Sequence, residues 1–212
     1  MNENMKQHWN TVYSSKPTTQ LGWYEANPAV SLEFLQQCGL DKSDPILDVG
    51  AGATTFVDHL LGAGYQNVIA LDISAVALEE LQKRLGQEKA AQVQWITADI
   101  TQPTAILELG VVALWHDRAC LHFMTGEIQQ QAYVSMLKKV VRAGGYAIIS
   151  AFAVGGAGKC SGLDVVNYDE VGLVDRLGEQ FELQTCEYYT YTMPSGDLRP
   201  YVSTIFRKKL TP

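Results

Sequence analysis

A short run of residues joins a carboxylate to a glycine-rich turn, a combination that can hold a cofactor through the backbone. The run from Ile46 to Thr54 begins as an apolar strand and then turns. Asp48 lies near the end of the apolar part, and Gly50 and Gly52 form the turn. Because glycine tolerates backbone angles that other residues resist, a ligand can approach such a turn closely. We therefore expect a binding loop between this strand and a following helix.

A second acid lies at the end of the next apolar run. Val68 to Leu71 reads as a buried strand, and Asp72 follows it directly. A carboxylate at this distance from a glycine turn can accept hydrogen bonds from the two ribose hydroxyls of a nucleoside. The glycine turn and Asp72 together predict a nucleoside-containing cofactor.

Two kinds of nucleoside cofactor fit this pattern differently. The dinucleotide fingerprint G-x-G-x-x-G requires a third glycine where this chain has Thr55. An anionic pyrophosphate would also be repelled by Asp48. S-adenosylmethionine has no phosphate and carries an ammonium group and a sulfonium, so a carboxylate beside the loop attracts it. The residues favour S-adenosylmethionine, and an NAD(P)-dependent oxidoreductase stays as an alternative.

These motifs resemble those of the class I, seven-strand S-adenosylmethionine-dependent methyltransferases. The first motif of that family is D/E-x-G-x-G-x-G. Asp48, Gly50 and Gly52 match it, while Thr54 replaces the third glycine. The resemblance covers essentially the whole chain, so it carries expectations for the later strands as well.

By the same resemblance, acids after further strands belong to the donor site. Asp72 corresponds to the acid that binds the ribose. Asp99 corresponds to the acid that contacts the adenine amino group, with Ile100 donating its backbone amide. Asp117 falls where the fourth motif of the family lies. The resemblance therefore implies a site for S-adenosyl-L-methionine, and for its product S-adenosyl-L-homocysteine, formed by Asp48, Gly50, Gly52, Asp72, Ile73, Asp99, Ile100 and Asp117.

Two histidines near the end of the predicted fourth strand are candidates for acceptor chemistry. His116 and His122 lie at the sheet edge where parallel strands place ligands. Histidine titrates near neutrality and is the usual base when an acceptor must lose a proton. We expect them on the acceptor side, with Asp117 and Arg118 orienting them or the cofactor. The alternative is that both histidines are half-buried and Asp117 pairs locally with Arg118. No metal site is expected.

Composition and charge limit the class of protein. The chain has 212 residues, of which 47% are hydrophobic and 18% charged, so we expect one globular domain with a substantial core. The formal charge of -7 argues against a nucleic-acid partner, which would require clustered Lys and Arg. No apolar run approaches the length of a membrane span, and the N-terminus lacks a basic and apolar leader pattern. A cytoplasmic location without a membrane partner is expected.

Alternating apolar strands and amphipathic helices predict the elements that position these residues. This alternation is typical of right-handed crossovers and of a parallel sheet covered by helices on both faces. The expected fold class is therefore α/β, a Rossmann-like three-layer sandwich. The family resemblance adds a mostly parallel seven-stranded sheet of order 3-2-1-4-5-7-6. Its C-terminal antiparallel hairpin is predicted over Phe181 to Tyr191 and Tyr201 to Arg207.

Glycines give two further local expectations. A break is predicted at Gly144 and Gly145, before the strongly apolar strand that starts at Tyr146. The segment from Ala153 to Leu163 is glycine-rich and is predicted as a long loop beside the binding edge.

The chain is predicted to be a single methyltransferase domain over residues 1–212. Residues 1–40 would form a helical and aromatic cap, and residues 45–212 the Rossmann-like core. The aromatic side chains of the cap could close over the cofactor, because their faces attract a sulfonium and exclude water. Equally, they could pack against the sheet. These side chains are Trp9, Tyr13, Trp23 and Tyr24.

The predicted function is transfer of a methyl group from S-adenosylmethionine to a small-molecule acceptor. The pattern from Trp9 to Tyr24 resembles small methyltransferases that act on thiols, chalcogen or halide anions and other small molecules. It also resembles a branch that methylates protein lysines. A protein-lysine methyltransferase and a non-catalytic nucleoside-binding protein therefore join the oxidoreductase as alternatives.

Overall fold

The central element is a seven-stranded sheet, and its strand order confirms the predicted one. The computed structural model describes residues 3–102 and 110–210. The strands are β1 (Pro45–Val49), β2 (Asn67–Asp72), β3 (Val93–Thr97), β4 (Val112–Arg118), β5 (Val141–Phe152), β6 (Lys159–Cys160), β7 (Leu163–Asp164), β8 (Phe181–Thr192) and β9 (Leu198–Lys208). The sheet order is β3-β2-β1-β4-β5-β9-β8, while β6 and β7 pair with each other. The neighbouring pairs β3–β2, β2–β1, β1–β4 and β4–β5 are parallel. Strand β9 is antiparallel to both β5 and β8.

Helices cover both faces of this sheet, as predicted for a Rossmann-like sandwich. They are α1 (Glu3–Ser15), α2 (Ala29–Gln37), α3 (Phe56–Gly62), α4 (Ala75–Ala90), α5 (Glu127–Val140) and α6 (Glu170–Leu177). Successive strand side chains point to opposite faces. On β1, Ile46 therefore joins the apolar cluster with α2, α3 and α4, and Leu47 joins the cluster with α5 and α6. Among the described residues, no helix is long and apolar enough to cross a bilayer.

The same alternation decides which polar residues meet at the carboxyl ends of the strands. On β4, His116 lies directly beside Asp48 of β1 in the parallel register, and Asp117 lies beside Val49. His116 therefore shares the α2 and α3 face with Asp48. Asp117 points to the opposite face, where it meets α5.

The N-terminal helix packs over the carboxyl edge of the sheet. Ser74 caps α4 by accepting a hydrogen bond from the Ala77 N–H (3.2 Å), and its hydroxyl donates to Asn10 Oδ1 of α1 (2.7 Å). The residue before Asn10 in α1 is Trp9, whose ring lies edge-on to Trp23 and to Phe123 at centroid distances of 5.7 and 4.9 Å. These contacts place the aromatic side chains of the cap beside the glycine loop.

Two local expectations differ from the structure. The predicted break at Gly144 and Gly145 lies inside β5, which begins at Val141 and has an irregular register with β4 at this point. The strand continues because β4 approaches closely: a Cβ on Gly145 would lie 2.9 Å from the Ala113 carbonyl oxygen. The second difference is that the segment predicted as a loop over 153–163 contains β6 and the start of the β6–β7 hairpin.

Candidate active site

Two adjoining cavities lie at the carboxyl ends of β1, β2 and β4. The main cavity has a volume of about 320 Å³ and the side cavity one of about 40 Å³. Trp23, Gly50 and Arg118 belong to the walls of both cavities, so the two meet at these residues. This is the edge at which open parallel sheets place their ligands.

The glycine loop after β1 has a backbone that only glycine adopts readily. Gly50 and Gly52 have φ angles of +64° and +54°. A Cβ on Gly50 would lie 2.9 Å from Cys120 Cβ, and one on Gly52 would lie 2.2 Å from the Tyr13 hydroxyl oxygen. Both glycines therefore allow neighbouring elements to approach the loop closely, and the loop has the backbone that their residue type predicted.

Asp72 joins this loop to the main cavity. Its Oδ2 accepts a hydrogen bond from the Gly52 N–H (2.8 Å), and its Oδ1 accepts one from the Ser74 N–H (2.8 Å). Burial raises the pKa of Asp72 to about 6, against the effect of these two backbone donors. A carboxylate oxygen can accept more than one hydrogen bond. Since Asp72 also lines the main cavity, it can accept further hydrogen bonds from a ligand there.

The turn after β3 contributes the far wall of the main cavity. Ile73, Asp99 and Ile100 line this cavity together with Asp72. Asp99 Oδ1 accepts hydrogen bonds from the N–H (2.9 Å) and the hydroxyl (2.7 Å) of Thr101, which fixes the turn. The structure thus brings together four of the residues predicted for the donor site.

Asp48 lies at the side cavity and is held by a histidine. His116 Nδ1 lies 2.7 Å from Asp48 Oδ1, and His116 Nε2 lies 2.9 Å from the Ser31 hydroxyl. Because a carboxylate only accepts, Nδ1 carries the proton of a neutral ring. The Phe56 ring stacks on the imidazole at 3.9 Å. Both ring nitrogens of His116 are therefore engaged, and His116 lines the side cavity rather than the main one.

The second oxygen of Asp48 is buried without a hydrogen-bond partner among the described residues. Buried carboxylate oxygens usually accept a hydrogen bond, so this oxygen is available to a donor group from a ligand. Asp48 and Gly50 both line the side cavity. The side cavity therefore offers an unsatisfied anionic acceptor next to the glycine loop, which suits an ammonium group.

Asp117 is placed behind the cavity wall rather than in it. Its carboxylate accepts hydrogen bonds from the Cys120 N–H (2.8 Å), the Leu121 N–H (3.0 Å) and the Tyr133 hydroxyl (2.5 Å). Burial raises its pKa to about 6. Asp117 and Gly52 line neither cavity, unlike the other predicted donor-site residues. In this structure Asp117 anchors the segment that follows β4.

His122 is also away from both cavities. It is fully buried, with the rings of Phe123 and Phe152 at centroid distances of 4.5 Å each. Burial lowers the pKa of His122 to about 3, so the ring is neutral at physiological pH. The structure therefore brings neither histidine into the main cavity, where an acceptor would need a base.

Two thiols line the main cavity. They belong to Cys120 and Cys160, which are free cysteines. Burial raises the pKa of Cys160 to about 11 and that of Cys120 well above its ordinary value, so both are neutral thiols rather than reactive thiolates. Within the described ranges 3–102 and 110–210, no group of three or more His, Cys, Asp or Glu side chains could hold a metal ion.

Arg118 is the site residue whose surroundings the sequence predicted least. Its Nε lies 2.9 Å from Glu25 Oε2, and its Nη1 donates to the Trp23 carbonyl oxygen at 3.0 Å. The guanidinium lies over the rings of Tyr191 and Tyr201, at 5.1 and 5.2 Å from their centroids. Glu25 and the two tyrosines come from distant parts of the chain and carry no motif. Only the position of Arg118 at the end of β4 pointed to it.

Sequence comparison identifies one domain and several relatives. The family model of a methyltransferase domain matches residues 46–145. EEF1A lysine methyltransferase 2 of Mus musculus is 21% identical over 189 residues, which are 84% of this chain and 72% of that protein. The protein of the same name from Danio rerio is 24% identical over 69% of this chain and 67% of its own length.

Solved structures share the fold at low sequence identity. A SAM-dependent methyltransferase from Anabaena variabilis has a TM-score of 0.79 at 16% identity, covering 98% of this chain and 94% of its own. The N-methyltransferase NodS from Bradyrhizobium japonicum, in complex with S-adenosyl-L-homocysteine, has a TM-score of 0.67 at 14% identity, covering 95% and 98%. The fold is therefore shared over nearly the full length of the chain, beyond the residues 46–145 that the family model matches.

Proposed function

We propose that the chain is a class I S-adenosylmethionine-dependent methyltransferase and that it transfers the methyl group of this donor to a small-molecule acceptor. One observation carries the proposal. Gly50, Asp72 and Asp99 lie at the carboxyl ends of three different strands, and they line a single cavity. A nucleoside lying across the ends of β1, β2 and β3 can reach all three residues.

The residues of the two cavities would divide the donor between them. Asp72 would accept hydrogen bonds from the ribose hydroxyls, and Asp99 with the backbone of Ile100 would bind the adenine. The unsatisfied Oδ2 of Asp48 in the side cavity would accept from the ammonium group of the methionine end. A charge-assisted hydrogen bond of this kind is stronger than a neutral one.

The chain contributes to the transfer by alignment. When bound, S-adenosylmethionine supplies an electrophilic methyl group on a sulfonium. Holding the reacting atoms in line can contribute about 7–11 kcal/mol in well-oriented systems. His116 would serve this alignment by fixing Asp48 through the Nδ1–Oδ1 contact of 2.7 Å. Because His122 lies outside both cavities, we do not propose it as a base.

The size of the main cavity supports a small acceptor. Pockets for drug-sized ligands have volumes of roughly 300–1,000 Å³. At about 320 Å³, the main cavity is near the lower end of that range, and the donor would take most of it. Trp9, Trp23 and Phe123 also line this cavity. The remaining space suits a compact molecule that the aromatic rings can surround.

A protein lysine is the second candidate acceptor. The relatives named EEF1A lysine methyltransferase 2 support it, at 21% and 24% identity. A lysine side chain is narrow enough to enter a small cavity from outside. The two candidate acceptors differ in molecular size. They therefore fall into different fractions of a cell extract, and only one of these fractions becomes labelled in each case.

Labelling with a radioactive methyl donor tests the choice of acceptor. The enzyme and methyl-labelled S-adenosylmethionine are incubated with an extract that has been separated into molecules below and above about 3 kDa. We expect label in the small-molecule fraction. Label in protein alone, stable to acid hydrolysis as methyllysine, would favour the lysine acceptor. Asp72→Ala should remove labelling of either fraction, and Asp175→Ala, which changes an exposed acid on α6, should leave it intact.

A further inference from the structure

Arg118 is the one Lys or Arg among the described residues that line the main and side cavities. The other charged groups of these walls are carboxylates, and His116 is the one imidazole. Arginine stays protonated at any pH at which the protein is folded. A fixed positive charge therefore lies where the two cavities meet.

Neighbouring groups fix this guanidinium but leave two of its nitrogens, Nε and Nη2, without a well-directed hydrogen bond within the described part of the chain. Glu25 pairs with Nε, and the Trp23 carbonyl accepts from Nη1. Nε keeps its ion pair with Glu25, and the Tyr189 side chain interacts with the guanidinium, whereas Nη2 is buried and has no counter-ion of its own among the described residues. A buried charged donor without an acceptor is unfavourable, so this position suits a ligand that supplies one.

The guanidinium lies on the side of the cavity away from the nucleoside residues. Asp72 ends β2 and Asp99 follows β3, at one side of β1, while Arg118 ends β4 at the other side. Its ring contacts, Tyr191 and Tyr201, come from β8 and β9, still farther from β2. A group that binds Nη2 from the main cavity would therefore lie opposite the nucleoside.

We propose that Arg118 forms the anion-binding part of the acceptor subsite, and that the small acceptor carries a carboxylate or a comparable anionic group. This inference rests on the proposed function. The planar guanidinium is matched to carboxylate geometry, and the apolar surroundings of Trp23, Phe123 and Cys160 strengthen the attraction. At Nη2 an anionic group is favoured over a protonated amine, because Nη2 only donates hydrogen bonds and an ammonium group has no acceptor to offer it.

Titration of the product complex with small probes tests the proposal without knowledge of the natural acceptor. Protein saturated with S-adenosylhomocysteine is titrated at pH 7.5 with acetate, with benzoate and with benzylamine, by calorimetry. We expect at least one of the two anions to bind saturably and benzylamine to bind more weakly than that anion. Binding of benzylamine alone, or of no anion, would overturn the proposal.

Variants connect the anion to Arg118. Removing Arg118 alone would leave Glu25 buried and unpaired, so the double variant Glu25→Gln/Arg118→Met is used. Anion affinity should fall about tenfold or more in this variant, a change of about 1.4 kcal/mol per tenfold. Glu25→Gln alone should strengthen anion binding, because a competing carboxylate is removed. Arg176→Met, at an exposed pair with Glu127, is the matched control. Equal anion affinity in the double variant and the wild type would contradict the proposal.

The carboxylate of the donor itself is the other possible partner of Arg118. Methylthioadenosine lacks the amino-acid end of S-adenosylhomocysteine, so the two ligands separate the cases. If Arg118 binds the donor, the double variant loses affinity for S-adenosylhomocysteine but not for methylthioadenosine, and the proposal fails. If it binds the acceptor, both affinities are retained. Failure of the wild type to bind S-adenosylhomocysteine would instead reject the proposed function.

Discussion

Asp72 is the residue at which the loop, the cavity and a shifted pKa coincide. Its two backbone hydrogen bonds hold the glycine loop, and its burial raises its pKa to about 6. Ribose hydroxyls that donate to the carboxylate would favour its ionised form. Donor binding is therefore linked to the loss of a proton at this residue when the pH is below 6.

The affinity for S-adenosylhomocysteine should fall as the pH decreases through about 6. Below that pH, binding must ionise Asp72, and affinity is expected to fall by up to about tenfold per pH unit. The stability contribution of Asp72 has the opposite sign. Because its folded pKa is raised, the folded state binds the extra proton between about pH 4 and pH 6, and stability rises as the pH falls through this window. Unfolding would thus not explain the loss of affinity.

Calorimetric titrations between pH 5.5 and pH 7.5 measure this dependence, alongside thermal unfolding at each pH. Asp72→Asn should bind more weakly at pH 7.5 and show a flat profile in the same window. A wild-type affinity that stays constant from pH 7.5 to pH 5.5 would contradict the role assigned to Asp72.

The two histidines should respond differently to substitution. His116→Ala leaves the buried Asp48 carboxylate without this hydrogen-bond donor, a change that costs about 1–3 kcal/mol for a buried polar group. We expect lower stability and weaker S-adenosylhomocysteine binding, rather than a loss of turnover alone. His122→Leu, at a buried site outside the cavities, should retain donor affinity.

Turnover and donor affinity, measured together, separate these roles once an acceptor is identified by labelling. A His116 variant with unchanged affinity and strongly reduced turnover would show that His116 acts as a base after all. His116→Gln provides the milder comparison, because its amide can still donate to Asp48.

At the scale of elements, the glycine loop depends on its contact with α1. Gly52 has a φ of +54°, and the Tyr13 hydroxyl occupies the place of its missing side chain. The loop, α1 and β2 are therefore coupled through Gly52, Tyr13 and Asp72. This coupling links the N-terminal cap to the proposed donor site.

Gly52→Ala should reduce stability by about 1–3 kcal/mol and weaken donor binding, because an alanine at this φ is strained and meets Tyr13. Tyr13→Phe removes the atom that would lie 2.2 Å from the new Cβ, so it should restore part of the loss. Chemical denaturation of the four proteins of this cycle measures the coupling. Gly62→Ala, which ends α3 in open space, should be neutral or slightly stabilising. Strictly additive effects of Gly52→Ala and Tyr13→Phe would contradict the contact.

At the scale of the whole molecule, local sequence patterns predicted much of the fold. Apolar runs marked β1, β2 and β4, and Gly50 and Gly52 marked the loop, because backbone conformation at a tight turn follows directly from residue type. The strand order came from the family resemblance rather than from periodicity. The features that the sequence did not predict depend on tertiary contacts. For example, β5 continues through Gly145 because β4 lies against it.

The same distinction holds within the site. Asp48, Asp72 and Asp99 lie at or just after the carboxyl ends of strands and could be placed by that position alone. His116 could not, because its partner Ser31 is 85 residues away and belongs to α2. The environment of Arg118 depends on Glu25, Tyr191 and Tyr201, which no local pattern connects. The sequence therefore indicated the donor side more fully than the acceptor side.

Titration of the purified protein with S-adenosylhomocysteine most directly tests the central claim that these cavities hold the methyl donor. We predict saturable one-to-one binding in the micromolar range for the wild type and for Asp175→Ala. Asp72→Ala, with its fold verified by circular dichroism, should bind about tenfold more weakly or worse, since tenfold corresponds to the loss of about 1.4 kcal/mol. Absence of binding heat in the wild type, or equal affinity in Asp72→Ala, would contradict the account.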